Sequence, residues 1–135
     1  MWAAAQALVP FQVEGGEIRA SLTGEPGDAA RGREVVRGRE EVNCLLCHAL
    51  PGTGDPFMGN LGPSLAGVGA RLSAGRLRLW LVDAKRAEPN TIMPSYYRVE
   101  GLQMVAARYR GKPILEPQQI EDAVTYLTTL TEPAR

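Results

Sequence analysis

The sequence is poor in the residues that most often bind metals or catalyse reactions. Its 135 residues include two cysteines and one histidine, and all three lie in the stretch CLLCH at positions 44–48. A structural zinc site generally takes four protein ligands, so these three neighbouring residues do not favour one. The lack of a second histidine also argues against an acid–base site built on a pair of imidazoles.

The chain also lacks an excess of either charge and has no long apolar run. It holds 15 Lys and Arg against 15 Asp and Glu, a formal net charge of zero. This balance gives no support for nucleic acid or an anionic membrane as the partner, because both favour clustered Lys and Arg. No apolar run approaches the roughly 18–20 residues that a membrane-spanning helix needs.

Aromatic residues make up 6% of the chain, whereas glycine and proline are plentiful, at 15 and 10 residues. A core built from side chains alone would therefore depend on Leu, Val and Ala. The glycines and prolines indicate long, shaped connections between a few regular elements. The length suits a single domain with one modest core.

Four interpretations of CLLCH compete. Zinc lacks a fourth ligand, and a thioredoxin-like thiol pair needs a βαβ setting, although no strand is indicated before Cys44. Two buried structural thiols would leave the adjacent His48 unexplained. The remaining interpretation is covalent attachment of a c-type haem, for which C-x-x-C-H is the signature.

The chemistry of haem attachment accounts for the spacing. Cys44 and Cys47, three residues apart on a helical turn, can each add to one haem vinyl group. His48 is then brought to the iron as an axial ligand. Because c-type haem is attached outside the cytoplasm, this interpretation predicts a periplasmic protein.

A sixth iron ligand is expected, and methionine is the usual one in electron-transfer cytochromes. The candidates are Met1, Met58, Met93 and Met104. Met93 is favoured because Pro94 keeps it out of the α region, which suits a side chain presented from a loop. Met58 follows the histidine too closely, Met1 is terminal, and Met104 lies in a helix-like apolar pattern that predicts a core position.

Three main helices are predicted. Asp28 is the N-cap of the first, in which Gly32 would let another helix approach closely. The second begins at Ser73 and ends before Pro89, and the third is opened by Pro117. Three helices around one haem, joined by long Gly/Pro-rich loops, indicate an all-α protein.

Further contacts with the cofactor are expected from residues near these ligands. A backbone carbonyl near Pro63 would accept the Nδ1 proton of His48 and fix the ring. Arg71 is a candidate partner for a haem propionate, although a solvated surface arginine is an equal alternative. Tyr97, with its neighbour Tyr96, would pack on the haem or donate a hydrogen bond near the methionine; ordinary loop packing is the alternative.

Long stretches of the chain resemble one family. NCLLCHA, LAGVGARLSAGRLRLWLVDAKRAEPNTIMPSYYRVEGL, YRGKPILEPQQIEDAVTYLTTL and GDAARGREVV together cover nearly all of residues 27–130. They resemble SoxX, the small monohaem subunit of the SoxAX cytochromes of sulfur-oxidising bacteria. The pattern VDAKR…P-TIMP-YYR followed by GKPIL is far more specific than C-x-x-C-H alone.

The resemblance implies a class I cytochrome c fold with one haem c. The haem would be bound through Cys44 and Cys47, and its iron would be ligated by His48 and Met93. We expect residues 1–26 to form an N-terminal extension, either a leader remnant or an arm that contacts a partner. Residues 27–135 would then form the cytochrome c domain.

The resemblance also implies a heterodimer with the larger SoxA subunit, which couples thiosulfate oxidatively to a cysteine of the SoxYZ carrier. The present chain would be the non-catalytic subunit, with no catalytic residue of its own. It would take electrons from the larger subunit and pass them to an acceptor such as a small cytochrome c. Two alternatives stay open: a free-standing periplasmic electron carrier, and a haem enzyme or gas sensor with an open iron site.

Overall fold

The fold is built from helices joined by long loops. The structure, a computed structural model, describes residues 7–134; residues 1–6, with Met1 and the start of the predicted leader remnant, lie outside the described part. The elements are α1 (Ala29–Arg37), a 3-10 turn (Cys44–Leu46), α2 (Val68–Arg71), α3 (Ala74–Val82), α4 (Ala84–Ala87), a second 3-10 turn (Ala107–Tyr109) and α5 (Pro117–Thr128). Residues 7–134 contain no β-strand beyond one isolated bridge, which confirms the all-α prediction.

The predicted starts of the three main helices are confirmed. The Asp28 carboxylate accepts a hydrogen bond from the Arg31 amide at 2.8 Å, and the Ser73 hydroxyl accepts from the Arg76 amide at 3.2 Å. Such caps satisfy amides that have no partner within the helix. Pro117 opens α5 as predicted. Within the described range, no helix combines the length and the apolar character that a bilayer crossing demands.

The second predicted helix is interrupted. At Asp83 the backbone is not helical, with φ −152° and ψ 88°, so α3 ends at Val82 and the short helix α4 follows. The Asp83 carboxylate accepts a hydrogen bond from the Ser95 hydroxyl at 2.8 Å. The break thus ties the end of α3 to the loop that follows Met93.

Helices α1 and α5 pack closely at Gly32. A Cβ atom at Gly32 would lie 1.9 Å from the carbonyl oxygen of Asp122 and 2.8 Å from Cβ of Tyr126. The Asp122 carboxylate crosses the same contact and accepts from the Asp28 amide at 2.8 Å and from Arg31 Nε at 2.9 Å. Glycine at position 32 is therefore needed for space, as the sequence predicted.

A buried ion pair joins α3, α5 and the N-terminal segment. Arg78 donates two hydrogen bonds to Glu121, each 2.8 Å long, and a third from Nη1 to the carbonyl oxygen of Ile18 at 2.6 Å. The amide of Leu22 donates to Glu121 at 3.1 Å. Because Ile18 and Leu22 are buried in the core, this part of the predicted extension packs against the helices.

The prediction that Met104 occupies a core position in a helix is wrong. Its side chain is fully exposed, and its backbone is left-handed, with φ +54°. Gly101 also has positive φ, +69°. Two left-handed residues so close together interrupt a helix in this stretch. Its regular structure is therefore limited to the 3-10 turn at Ala107–Tyr109.

Candidate functional site

One apolar cavity of about 320 Å3 gathers most of the predicted site residues. Cys44, His48, Pro63, Arg71 and Met93 all line it. The rest of its wall is mainly aliphatic and comes from α1, α3, α5 and the loops between them: Val35, Val36, Val42, Leu65, Val68, Leu72, Leu77, Leu81, Leu115, Ala123 and Leu127. The cavity thus combines an apolar wall with two sulfur donors and one imidazole.

The CLLCH stretch forms a single tight turn. Asn43 enters it with left-handed backbone, φ 47°, and the carbonyl oxygen of Cys44 accepts from the amides of Cys47 at 3.2 Å and His48 at 2.9 Å. Cys44 and Cys47 are half-buried free thiols. This turn keeps both thiols and the imidazole within five residues of chain. Cys44 and His48 line the cavity, whereas Cys47 is not part of its wall.

Burial acts strongly on one of these thiols. It raises the pKa of Cys44 to about 11, so this group is a neutral thiol at neutral pH. A redox-active cysteine pair works through a thiolate whose pKa is lowered by nearby positive charge or a helix N-terminus. The environment of Cys44 therefore argues against the thioredoxin-like interpretation.

The imidazole of His48 is held from two sides. Its Nδ1–H donates to the carbonyl oxygen of Pro63 at 2.6 Å, as predicted. A Cβ atom at Gly62 would lie 2.4 Å from Cε1 of the ring, so the neighbouring glycine makes the necessary space. With the proton on Nδ1, the lone pair of Nε2 is available to a metal.

Met93 lies in an extended loop that is tied to the end of α3. Its amide donates a hydrogen bond to the hydroxyl oxygen of Thr91 at 3.1 Å. Further along the loop, the amides of Tyr96 and Tyr97 donate to the carbonyl oxygens of Leu81 and Val82 at 3.0 and 3.2 Å. These bonds anchor the loop, and the half-buried Met93 side chain lines the cavity together with His48.

Arg71 lines the cavity and also clamps the loop that follows Pro63. Nη1 donates to the carbonyl oxygen of Ala66 at 2.8 Å and Nη2 donates to that of Ser64 at 3.0 Å. The guanidinium has five N–H donors, so these bonds do not exhaust it. Arg71 thus supports the chain around His48 besides contributing a charged group to the cavity.

Of the two neighbouring tyrosines, only Tyr96 is part of the cavity wall. Tyr97 is buried, and its hydroxyl accepts from the Val9 amide at 2.8 Å, whereas the wall of the cavity contains Tyr96. Burial raises the pKa of Tyr96, which keeps its hydroxyl protonated. Trp80 also lines the cavity and was not predicted as a site residue; its helical spacing from Leu77 and Leu81, which line the cavity too, is the signal that could have found it.

Met58, the weaker candidate for the sixth ligand, contacts the loop that follows CLLCH instead of the cavity. Its Sδ accepts from the Leu50 amide at 3.2 Å and from the Thr53 hydroxyl at 3.4 Å. These contacts close the loop that follows CLLCH. In the described structure Met58 is not part of the cavity wall that contains Met93.

The residues present fit a haem c. Two thiols on one turn, an imidazole with its Nδ1 proton already bound, and a thioether from a separate loop are the donor set of a His/Met c-type site. The aliphatic wall suits a large apolar ring system, and Gly62 leaves the imidazole room beside its loop.

The comparisons with known proteins agree with this site. The cytochrome c family model matches residues 29–131. A chain of the SoxXA crystal structure from P. pantotrophus superposes with a TM-score of 0.84 at 34% identity, covering 96% of this chain and 100% of that one. The c-type cytochrome SorU from Sinorhizobium meliloti, with a TM-score of 0.52 and 24% identity over 79% of this chain and 94% of that one, shares the fold.

No curated protein sequence matches the chain. The family match covers most of its length, and the SoxXA likeness extends over nearly all of it. A cytochrome c domain with the two cysteines Cys44 and Cys47 fits one covalently bound haem c. The chain therefore belongs to the cytochrome c family and is a SoxX-type monohaem cytochrome.

Proposed function

We propose that this cytochrome is the electron-transfer subunit of a periplasmic SoxAX-like heterodimer. It accepts electrons from a larger SoxA-type haem subunit and passes them to a downstream acceptor such as a small cytochrome c. The observation that carries the proposal is the full-length likeness to a chain of the SoxXA structure, at 34% identity. The apolar cavity with its donor set supports it independently.

In this proposal each site residue has one task. Cys44 and Cys47 would bind the haem through thioethers, and His48 and Met93 would hold its iron. When bound, haem c supplies a one-electron iron couple, whose potential methionine ligation raises. Pro63 holds the imidazole through its carbonyl oxygen, as the 2.6 Å bond from Nδ1 supports.

The surrounding residues give the site an apolar wall. This wall is mainly aliphatic and includes Tyr96, and Arg71 holds the loop around Pro63. Because His48 and Met93 would both bind the iron, this chain would offer substrate no place at the metal. It is thus a carrier of electrons rather than a catalytic subunit.

The reaction itself is proposed to take place on the partner. Joining the outer sulfur of thiosulfate to the cysteine thiol of a SoxYZ-type carrier protein forms a sulfur–sulfur bond. This coupling releases one proton and two electrons. The present chain takes the two electrons in successive single transfers and delivers them to the acceptor.

The proposal is tested by reconstitution. The holoprotein is mixed with a SoxA-type subunit, a SoxYZ-type carrier and thiosulfate, and haem absorbance is followed. We expect stable co-purification with the larger subunit, and reduction by thiosulfate only when both proteins are present. A lone monomer that unrelated donors reduce equally, and that stays indifferent to thiosulfate, would identify a free-standing carrier instead.

A further inference from the structure

The charges of the neutral chain are distributed unevenly along the sequence between the two segments that carry its predicted haem ligands. Residues 40–70, which include CLLCH, contain Glu40, Glu41 and Asp55 and no Lys or Arg. Residues 85–112, which include Met93, contain six Lys and Arg against two Glu, a net charge of +4. We call residues 85–112 the basic segment.

The positive charges of the basic segment are not neutralised locally. They are Lys85, Arg86, Arg98, Arg108, Arg110 and Lys112. Within residues 7–134, the six ion pairs found all involve other arginines, and five of these six side chains are exposed while Arg98 is half-exposed. The segment therefore presents a net positive charge to the solvent, and none of its six cationic side chains forms an ion pair within residues 7–134.

Apolar side chains lie among these charges, next to Met93. An open groove of about 440 Å3 borders Met93 and is lined by Lys85, Arg98 and Lys112. Ile92, 78% exposed, and Leu102, 43% exposed, also line it. An apolar centre within a charged, solvent-accessible rim is the anatomy of a protein–protein interface.

We propose that the basic segment is the docking surface for the acidic face of a redox partner protein, which approaches on the Met93 side. The inference rests on the proposed electron-transfer function and adds where, and to which chemistry, the partner binds. Complementary charge orients such an encounter and raises its rate, while the apolar centre gives close contact beside the ligand loop.

The arrangement fits a protein surface better than a small anion. Lys85 already donates to the carbonyl oxygen of Thr91, and Arg98 Nε donates to that of Glu100 at 2.9 Å. The cationic groups therefore lie spread around an open groove instead of converging on one point. A broad acidic protein surface can contact several of these cationic groups at once, whereas a single sulfur oxyanion cannot.

The test measures stopped-flow reduction of the ferric holoprotein by flavodoxin hydroquinone, a strongly acidic protein donor. For the wild-type protein, we expect the rate constant to fall as ionic strength rises. In Arg110→Glu/Lys112→Glu it should be about tenfold lower at low salt and approach the wild-type value at high salt. Arg33→Glu/Arg37→Glu, on α1, makes the same change in net charge and should slow reduction far less.

A second donor, the uncharged small 5-deazariboflavin radical generated by light, separates failure of the docking inference from failure of the proposed electron-transfer function. It should reduce all variants at one rate, and a holoprotein that neither donor reduces would refute the electron-transfer function itself. Equal slowing of both double variants, or a wild-type rate with flavodoxin that is independent of salt, would overturn the docking inference. So would competition by thiosulfate beyond that of sulfate at equal ionic strength, which would identify a small-anion site.

Discussion

A Cβ atom placed on Gly62 would lie 2.4 Å from Cε1 of His48, so glycine alone fits between this loop and the imidazole ring. Gly62→Ala must therefore turn the ring or move the loop. We expect about 1–3 kcal/mol of lost stability, as for overpacking elsewhere, with a weakened bond to Pro63. Urea unfolding and the visible haem spectrum would show the loss of stability and an altered axial field.

Gly52→Ala is the matched control for this variant. Gly52 lies in the same long loop, with φ +76° and open space around its Cα. Alanine there costs about 1–2 kcal/mol through backbone strain but meets no ring. An unchanged haem spectrum in both variants would contradict the role given to Gly62.

Met93→Ala should open the sixth coordination position. We expect the ferrous variant to bind carbon monoxide readily and to have a lower potential than the wild-type protein, because the thioether ligand that raises it is gone. Cys44 and Cys47 should still retain the haem. Met104→Ala, at a fully exposed methionine, should match the wild-type protein in both measurements.

The Arg78–Glu121 pair should matter to stability but little to the spectrum. Both side chains are buried, so Glu121→Ala leaves an uncompensated arginine in the core and should cost about 3–5 kcal/mol. Replacing both together, as in Arg78→Met/Glu121→Leu, should recover much of that loss. By comparison, Arg19→Ala removes a largely exposed side chain and should cost under about 1 kcal/mol in the same denaturant titration.

Asp122 gives the protein a pH dependence. Burial alone would raise the pKa of its carboxyl, but hydrogen bonds from Arg31, the Asp28 amide and Gln118 together hold it below its ordinary value. Its stabilising contribution is therefore present above the unfolded pKa, about 3.9, and is lost as pH falls through the lower folded value. Asp122→Asn should be less stable than the wild-type protein at pH 7, with the gap closing below about pH 4.

Local signals allowed part of the fold to be predicted. Asp28, Ser73 and Pro117 each mark a helix start through chemistry that acts within one turn, and all three positions are correct. The close helix contact at Gly32 was also predicted correctly. Glycine is unfavourable inside a helix, so its presence there indicates a need for space. For the site, the spacing within CLLCH and the proline after Met93 are likewise signals carried by neighbouring residues.

Local patterns could not show the interactions between distant parts of the chain. Arg78 is buried because Glu121 lies opposite it, 43 residues later, and no local pattern shows that pairing. Residues 7–26 carry no periodic signal, yet Ile18 and Leu22 enter the core through backbone bonds to these side chains. The side chains of Tyr96 and Tyr97 point in different directions. The backbone hydrogen bonds between their loop and the end of α3 set these directions.

Cys44, Cys47, His48 and Met93 are proposed to form a six-coordinate c-type haem site. The most direct measurement combines mass spectrometry of the denatured holoprotein with near-infrared absorbance of its ferric form. We predict one haem that remains attached to the peptide containing Cys44 and Cys47, together with a methionine-to-iron charge-transfer band. A haem lost on denaturation, or an intact haem without that band, would contradict the account.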